Sequence, residues 1–283
     1  MQLSNYHSHC DFCDGRSRPE DFIKFALSHE FRAYGFSSHS PLPFETFWNM
    51  SRSDMDEYLQ EINRLKAKYD GEIEIYAGLE IDFLDERYNA SIQYFRDLPL
   101  DYRIGSIHFL PISDELIEDN MVCIDGSFND FRNSLEKYFN GDIRKLVKLY
   151  FDNTMKMVNV GSIDIVGHMD KIYMNGQKCS AFDFNSDWYM RPFKNCLEAI
   201  RDAGIMVEVN TKNLNKKDEL YPRAEHLKLI KDMNIPVLVN SDCHYPDLVN
   251  DGREKAFKIL KSLGFKTTRE MINNEWQDVA IEL

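Results

Sequence analysis

The amino-acid sequence predicts an α/β fold in which seven β/α units close, or nearly close, into a barrel. Along the 283 residues, a short apolar or β-branched run is followed seven times by an amphipathic stretch with helical spacing. Strict alternation of strands and helices indicates a parallel sheet with helical crossovers. No change in composition marks a second domain, and the absence of a Gly-x-Gly-x-x-Gly motif argues against a dinucleotide-binding sheet. We therefore expect one domain over residues 1–283.

Each predicted unit begins with a strand and continues into a helix. The first strand, 3–9, precedes a helix at 18–31, whose first turn is marked by Pro19 and the acidic Glu20 and Asp21. The other units follow the same order and are predicted at 34–40 and 52–69, 74–83 and 89–97, 101–110 and 129–159, 164–170 and 186–203, 205–211 and 222–233, and 235–244 and 246–264. Parallel strands joined in this way place their carboxyl ends on one face, where barrel enzymes carry their active sites.

Composition and charge restrict the partners of the chain. A hydrophobic content of 43% with 29% charged residues is that of an ordinary globular protein with a substantial core. The net charge of −13 repels phosphate backbones and anionic lipid, so we expect no nucleic-acid or membrane partner. A local cationic pocket for one phosphate group is still compatible with this charge. No pattern in the sequence specifies an oligomeric state.

The N-terminus and the cysteines indicate a cytoplasmic protein. The first residues lack a basic segment followed by an apolar one, and no run approaches the ~18 apolar residues that cross a bilayer. The six cysteines are irregularly spaced, which is typical of free thiols and not of a disulfide framework. Cys10 and Cys13 form a Cys-x-x-Cys pair, but no second pair with ligand spacing follows. We expect both to pack beside a site built from other residues.

The histidines cluster at the predicted strand ends. Six of the eight lie there, namely His7, His9, His39, His108, His168 and His244, and Glu80 and Asp242 join them. A single histidine in such a position is commonly a core residue, but six together are not. Buried imidazoles and carboxylates without an ion would be a costly set of polar groups, whereas Zn²⁺, Fe²⁺ or Mn²⁺ would use them as ligands. The sequence therefore predicts a metal centre.

The motifs around these residues resemble those of the polymerase-and-histidinol-phosphatase (PHP) superfamily, and most closely those of its histidinol-phosphate phosphatases. The matching stretches are HSHCDFCDG at 7–15, GFSSHSPLPF at 35–44, GLEIDF at 78–83, GSIHFL at 105–110, DIVGHMDKI at 164–172, VEVNTKNL at 207–214 and NSDCH at 240–244. In their order they extend over most of the chain. The resemblance implies a distorted, TIM-like barrel of seven β/α units that binds two to three divalent transition-metal ions.

The resemblance also implies a ligand set. Carried over residue by residue, the nine ligand positions are His7, His9, Asp14, His39, Glu80, His108, His168, Asp242 and His244. By analogy, one ion is held by His7, His9, Glu80 and Asp242, a second by Glu80, His108 and His168, and a third by Asp14, His39 and His244. Glu80 would thus bridge two ions. Many relatives carry histidine where this chain has Asp14, which bears on the third ion's identity or occupancy.

The implied reaction is hydrolysis of L-histidinol phosphate to L-histidinol and phosphate, a step of histidine biosynthesis. Glu80, His168 and Asp242 are predicted to be catalytic, with a metal-bound hydroxide attacking phosphorus. Arg16 and Lys171 are predicted to bind the phosphate.

Supporting roles are predicted around this centre. Asp170 and Asn210 are candidates for orienting ligands. The segment with Phe44, Phe47 and Trp48 would form either a lid or an ordinary packed loop.

Two other functions are compatible with the sequence. One is a PHP phosphoesterase that acts on another small phosphate ester or on nucleic-acid ends. The other is a metal-stabilised binding protein without turnover, against which the complete ligand set argues.

Overall fold

The computed structural model describes residues 3–282, and these residues form eleven strands. In chain order the strands are β1 (Leu3–Asn5), β2 (Phe31–Phe36), β3 (Glu74–Asp82), β4 (Tyr102–Ser106), β5 (Phe109–Pro111), β6 (Met121–Cys123), β7 (Ile165–Val166), β8 (Met206–Asn210), β9 (Val237–Asn240), β10 (Thr267–Ile272) and β11 (Glu275–Ala280). Seven of them, β1–β4 and β7–β9, form one parallel sheet in chain order. Ser8 pairs in parallel with Cys243, and the His9 N–H donates to the Cys243 carbonyl at 2.9 Å. The sheet is therefore nearly closed, which confirms the predicted barrel.

The helices that connect the strands pack around the sheet. Within residues 3–282 they are α1 (Pro19–Ser28), α2 (Met55–Lys68), α3 (Gln93–Arg96), α4 (Phe128–Phe139), α5 (Ile143–Val160), α6 (Tyr173–Gly176), α7 (Asp187–Ala203), α8 (Leu214–Lys217), α9 (Ala224–Asp232) and α10 (Arg253–Ser262). The longer helices are amphipathic and bury one face, as the spacing of their apolar residues predicts. None of the helices in this part of the chain combines the length and apolar character needed to cross a bilayer.

The helical region predicted at 129–159 consists of two helices, α4 and α5. Helix α4 ends at Phe139; Asn140 then adopts a left-handed conformation with φ 52°, and Gly141 follows with φ 73°. Asparagine and glycine are the residues that tolerate this conformation at helix ends. The Asp142 side chain then caps α5 by accepting from the Arg144 N–H at 3.1 Å. The Asn-Gly pair was the sequence signal for this break.

The strand predicted at 101–110 is also interrupted. Strand β4 ends at Ser106, and β5 leaves the barrel to pair with β6 in an antiparallel hairpin. His108 lies between them, and its N–H donates at 2.9 Å to the side-chain Oδ1 of Asp82, the last residue of β3, instead of to a backbone carbonyl. The hairpin rises beside the carboxyl ends of the barrel strands and forms one wall of a cleft there.

The barrel interior is filled by aromatic residues at the amino ends of the strands. The Tyr102 hydroxyl donates to the carbonyls of Tyr6 and Phe36, at 2.6 and 3.0 Å. Its ring leaves no room for a side chain at Gly35 or Gly78, where an added Cβ would overlap it. The opposite face of the barrel thereby remains available for polar groups.

A C-terminal hairpin that the pattern of seven units did not predict closes the amino end of the barrel. Strands β10 and β11 are antiparallel and turn at Asn273 and Asn274, both with positive φ. Trp276 packs edge-on against Tyr6 with ring centroids 5.0 Å apart, and the Tyr6 hydroxyl accepts from the Met271 N–H at 2.8 Å. This closure excludes water from the end of the barrel opposite the histidines.

Candidate metal centre

The structure brings all nine predicted ligands together at the carboxyl ends of the barrel strands. Glu80 lies within β3, and the other eight lie in the segments that follow strands β1, β2, β4, β7 and β9. Except for Asp14 and His244, which are partly exposed, all of them are buried. Three groups of ligand atoms lie within 4.8 Å of one another: His9, Asp14, His39 and His244; His7, His9 and Asp242; and His39, Glu80 and His108.

Glu80 occupies the middle of this arrangement, and its two oxygens face different histidines. Oε1 lies 2.8 Å from His168 Nε2 and 3.5 Å from His108 Nε2. Oε2 lies 3.2 Å from His7 Nε2 and 3.0 Å from His39 Nδ1. A carboxylate with one oxygen on each side can bridge two ions, as predicted for Glu80.

Asp242 faces the same side of Glu80 as the His-x-His pair. Its Oδ1 lies 3.2 Å from His9 Nε2 and 3.9 Å from His7 Nε2. The backbone at Asp242 is left-handed, with φ 47°, a conformation that aspartate tolerates better than most residues. The chain therefore turns sharply after β9 and directs this carboxylate into the cleft.

An outer group surrounds Asp14. Its Oδ2 lies 3.2 Å from His244 Nε2, and its Oδ1 lies 3.9 Å from His39 Nε2 and 4.0 Å from His9 Nδ1. The rings of His9 and His39 stand side by side with centroids 4.2 Å apart. Each of these two rings has one nitrogen towards Asp14 and one towards Glu80.

The donor set fits divalent metal ions. Several buried atoms of the ligands have no hydrogen-bond partner among the described residues: His7 Nε2, His9 Nε2, Asp14 Oδ1, His39 Nδ1, Glu80 Oε2 and His168 Nδ1. Unpartnered buried polar atoms are costly, and an ion coordinated by them removes that cost. Imidazole and carboxylate together are suited to Zn²⁺, Fe²⁺ and Mn²⁺.

Electrostatics keep the carboxylates ionised. Burial opposes this, but the imidazoles of His7 and His108 hold the pKa of Glu80 well below its usual value. Burial likewise opposes ionisation of Asp242, and Lys212 and His7 outweigh it and hold the Asp242 pKa well below its usual value. Both side chains are therefore in the form that binds metal.

The histidines divide into two electrostatic classes. Burial, reinforced by neighbouring cationic groups, lowers the pKa of His9, His168 and His244, which favours the neutral, metal-binding imidazole. Burial also opposes a charge on His7 and His108, but nearby carboxylates outweigh it and raise the His7 pKa well above its usual value and the His108 pKa to about 10. A bound ion would replace the proton on these two rings.

Glu208 is a buried carboxylate that the sequence interpretation did not single out. Its Oε1 lies 2.6 Å from His7 Nδ1, and its Oε2 accepts from the His168 N–H at 2.9 Å. Asn240 and Asn210 also donate to it, each at 3.0 Å. Glu208 thus links the ends of four strands and orients two ligands. A charged residue inside the apolar run IMVEVNT was the signal that could have identified it.

Asp82 and Asn210 support two other ligands. Asp82 Oδ1 lies 3.0 Å from His108 Nδ1, and Asn210 donates to Asp242 Oδ2 at 3.1 Å. The orienting role expected of Asn210 fits this contact. Asp170 instead accepts from the Arg223 N–H at 2.9 Å, so its carboxylate anchors the loop after His168 rather than a ligand side chain.

The cleft above the ligands has a volume of about 610 Å³, and two lysines face it. Lys171, predicted to bind phosphate, has a side chain only 5% exposed, with Nζ 4.0 Å from Asp125 Oδ2. Lys212 places Nζ 3.0 Å from Asp242 Oδ1 and 3.4 Å from His244 Nε2. Arg16 is exposed and lies in an adjoining outer pocket, where its N–H donates to the His244 carbonyl at 2.8 Å.

Most of the aromatic segment expected to be a lid or a packed loop is packed. Trp48 stacks on Phe109 of the β5–β6 hairpin at 5.7 Å and contacts His39 edge-on at 4.5 Å. Phe44 contacts Phe109 at 5.4 Å. Phe47 differs because the residue is 94% exposed, at the rim of the cleft. Trp48 and Phe109 therefore form an aromatic wall beside the ligands.

Known proteins share this architecture. The family model described as the PHP domain matches residues 5–212. The histidinol-phosphatase of Bacillus subtilis (strain 168) is 27% identical over 266 residues, which cover 86% of this chain and 94% of that protein. That of Lactococcus lactis is 34% identical over 111 residues, or 38% of this chain and 40% of that protein. A crystal structure of histidinol phosphate phosphatase from Lactococcus lactis, complexed with zinc, L-histidinol and phosphate, superimposes with a TM-score of 0.75 at 23% identity, covering 98% of this chain and 99% of that one.

Proposed function

Because the chain belongs to the PHP domain family, we propose that it is a metal-dependent phosphomonoesterase that hydrolyses L-histidinol phosphate. The observation that carries the proposal is Glu80, whose two oxygens face His168 and His108 on one side and His7 on the other. The relatives named histidinol-phosphatase, and the fold shared with a protein that binds zinc, L-histidinol and phosphate, support this substrate. We further propose that the whole chain acts as one barrel domain in the cytoplasm.

The residues that would hold the ions are the nine predicted ligands. Glu80 and Asp242 with His7 and His9 form the inner group, and the other oxygen of Glu80 completes a group with His108 and His168. Asp14, His39 and His244 form the outer group. Bound divalent ions supply a coordinated water whose pKa falls towards ~7 and positive charge for the phosphoryl oxygens. Zinc fits these ligands, and so do iron and manganese.

The chain itself binds and orients the substrate. Lys171 and Lys212 carry positive charge on the cleft side of the ligands, where a phosphate group can be neutralised. Their positions favour them over the exposed Arg16 as phosphate-binding residues. The aromatic wall of Trp48 and Phe109 offers a surface for a flat ring attached to the ester. Glu80, His168 and Asp242 remain the predicted catalytic residues.

Phosphate release is the direct test. L-histidinol phosphate is compared with p-nitrophenyl phosphate and other small phosphate esters, with and without a chelator. We expect the highest kcat/KM for L-histidinol phosphate and loss of activity on chelation, reversed by Zn²⁺, Mn²⁺ or Fe²⁺. A rate on L-histidinol phosphate no better than that on generic esters would instead favour another small phosphate ester as substrate.

Glu80→Gln tests the bridging carboxylate. Glutamine keeps the shape but loses the charge, so we expect a loss of kcat of more than about 10²-fold with the fold retained by circular dichroism. Glu254→Gln on the surface of α10 is a matched control with unchanged kcat, because within residues 3–282 the ion-pair partner of Glu254 is the exposed Lys258. Near-native turnover of Glu80→Gln would contradict the proposed bridge.

A further inference from the structure

The rings of His9 and His39 could each bind an ion of the inner group or of the outer group, because each ring lies between Asp14 on one side and Glu80 on the other. His9 Nε2 lies 3.2 Å from Asp242 Oδ1, whereas its Nδ1 lies 4.0 Å from Asp14 Oδ1. His9 accordingly belongs to both the inner and the outer group of potential ligands. A neutral imidazole offers one lone pair, so the nitrogen that carries the proton decides which group the ring completes.

The thiol of Cys13 contacts one of the two ring nitrogens of His9, Nδ1. Its Sγ lies 3.6 Å from His9 Nδ1 and is the hydrogen-bond partner found for that atom among residues 3–282. The 4.0 Å separation from Asp14 is too long for a hydrogen bond. His9 Nε2, by contrast, is buried without a hydrogen-bond partner in this part of the chain. The ring therefore has a partner on the Asp14 side and an unused lone-pair position on the Asp242 side.

Three other ligand rings show the same arrangement with oxygen in place of sulfur. Nδ1 of His7 faces Glu208 Oε1 at 2.6 Å, and Nδ1 of His108 faces Asp82 Oδ1 at 3.0 Å. Nδ1 of His244 faces the Asp242 carbonyl at 3.1 Å. A metal-binding histidine generally donates its other N–H to such an acceptor, which fixes the tautomer and the ring orientation. Cys13 is in the equivalent position for His9.

A tight turn of the chain holds the Cys13 thiol close to the His9 ring. The N–H groups of Cys13 and Gly15 both donate to the Cys10 carbonyl, at 3.0 and 3.1 Å, which folds the chain back on His9. A side chain at Gly15 would overlap the His9 backbone, so only glycine permits the approach. The Cys-x-x-Cys spacing follows from this turn, because Cys10 supplies the carbonyl and Cys13 the thiol.

We propose that Cys13 is a positioning residue that accepts the His9 Nδ1–H and thereby commits His9 to the inner metal group with His7 and Asp242. The inference rests on the ligand assignment of the proposed function. It leaves Asp14, His39 and His244 as the ligands of the outer group. Sulfur is a weak acceptor, so the support that it gives His9 is smaller than that given by Glu208 to His7.

Metal affinity measured on the full chain tests the proposal. Competition of the purified protein with a Zn²⁺ chelator is compared for wild type, Cys13→Val and Cys13→Ser. Valine is a slightly larger apolar side chain that removes the acceptor, and we expect about 10-fold weaker binding of one ion, at the low end of the range for such partners. Serine retains an acceptor, and we expect it to restore most of the affinity. The Co²⁺-substituted protein should show an altered visible absorption spectrum for Cys13→Val alone.

Cys10→Ala is the matched control. The Cys10 thiol contacts Ser38 Oγ at 3.2 Å and no ligand nitrogen, so Zn²⁺ affinity should stay at the wild-type value. If valine is not tolerated, Cys13→Ala makes the same comparison without added bulk. Wild-type affinity in both Cys13→Val and Cys13→Ala would overturn the proposal while leaving the phosphatase proposal intact. Absence of bound ions in the wild type would instead contradict the ligand set itself.

Discussion

Glu208 shows how one buried carboxylate can organise a metal centre that it does not itself complete. It accepts from a ring nitrogen, a backbone N–H and two amide groups, which come from four different strand ends. Burial opposes its ionisation, but His7 outweighs this and lowers the Glu208 pKa. Removing its charge should therefore affect His7 and His168 together.

Glu208→Gln is expected to weaken metal binding about 10- to 100-fold, because the amide is a poorer partner for the His7 N–H and presents an N–H₂ group to other donors. Zn²⁺ affinity by chelator competition and bound metal by elemental analysis are the measurements. Glu275→Gln, on an exposed strand position away from the cleft, is the control. Unchanged affinity in Glu208→Gln would show that His7 is oriented by packing alone.

Lys212 adds a cation at the point where the phosphate would meet the ligands. Lys212→Met should raise KM for L-histidinol phosphate and the inhibition constant of inorganic phosphate, each about 10-fold, since one charge-assisted hydrogen bond is lost. Lys217→Met, which changes an exposed lysine at the end of the neighbouring helix α8, should change neither value. If both constants remained at the wild-type values in Lys212→Met, phosphate would be bound by Lys171 or Arg16.

At the scale of single elements, the predictable features were those with a repeating pattern. Strands with apolar runs and long amphipathic helices were located from the sequence, apart from the breaks between α4 and α5 and between β4 and β5, and the histidines at the strand ends indicated the candidate ligands. The β5–β6 hairpin was missed because its strands have three residues each and no alternation to detect. Cys13 was expected only to pack beside the site, because a contact between a thiol and a ring nitrogen depends on the turn geometry and not on spacing.

Strands β2 and β3 pack closely against Tyr102 of β4, so a larger side chain at this contact should destabilise the barrel. In Gly78→Ala the new Cβ would overlap the Tyr102 ring, which is held by two backbone carbonyls and cannot move freely. We expect destabilisation of about 1–3 kcal/mol, measured by denaturant unfolding. Gly126→Ala, whose Cβ would meet the Cys123 side chain and no other atom of the described residues, should cost less. Equal stability of the two variants would mean that the Tyr102 ring can shift and accommodate the added methyl group.

The two ends of the barrel differ: the amino end is apolar and closed to water, and the carboxyl end is polar. Trp276, Tyr6 and Tyr102 close the amino end, whereas imidazoles and carboxylates fill the carboxyl end. The C-terminal hairpin was outside the predicted repeat because it follows the seventh unit, although Asn273-Asn274 between alternating residues is a turn signal. The barrel and its metal centre follow from the repeat, since parallel strands direct their carboxyl ends to one face.

This division makes the stability of the molecule depend on its ions. Without them, the polar end holds several buried atoms that lack hydrogen-bond partners within residues 3–282. Ions that bind the folded state and not the unfolded one stabilise it by about 2.7 kcal/mol at a free concentration of 100 Kd. Chelation should therefore lower the thermal midpoint by several degrees, measured by calorimetry. Zn²⁺ should restore it, whereas Ca²⁺, which prefers oxygen ligands, should not. A midpoint unaffected by chelation, with metal loss verified by elemental analysis, would show that hydrogen bonds among the ligands suffice to hold this end together.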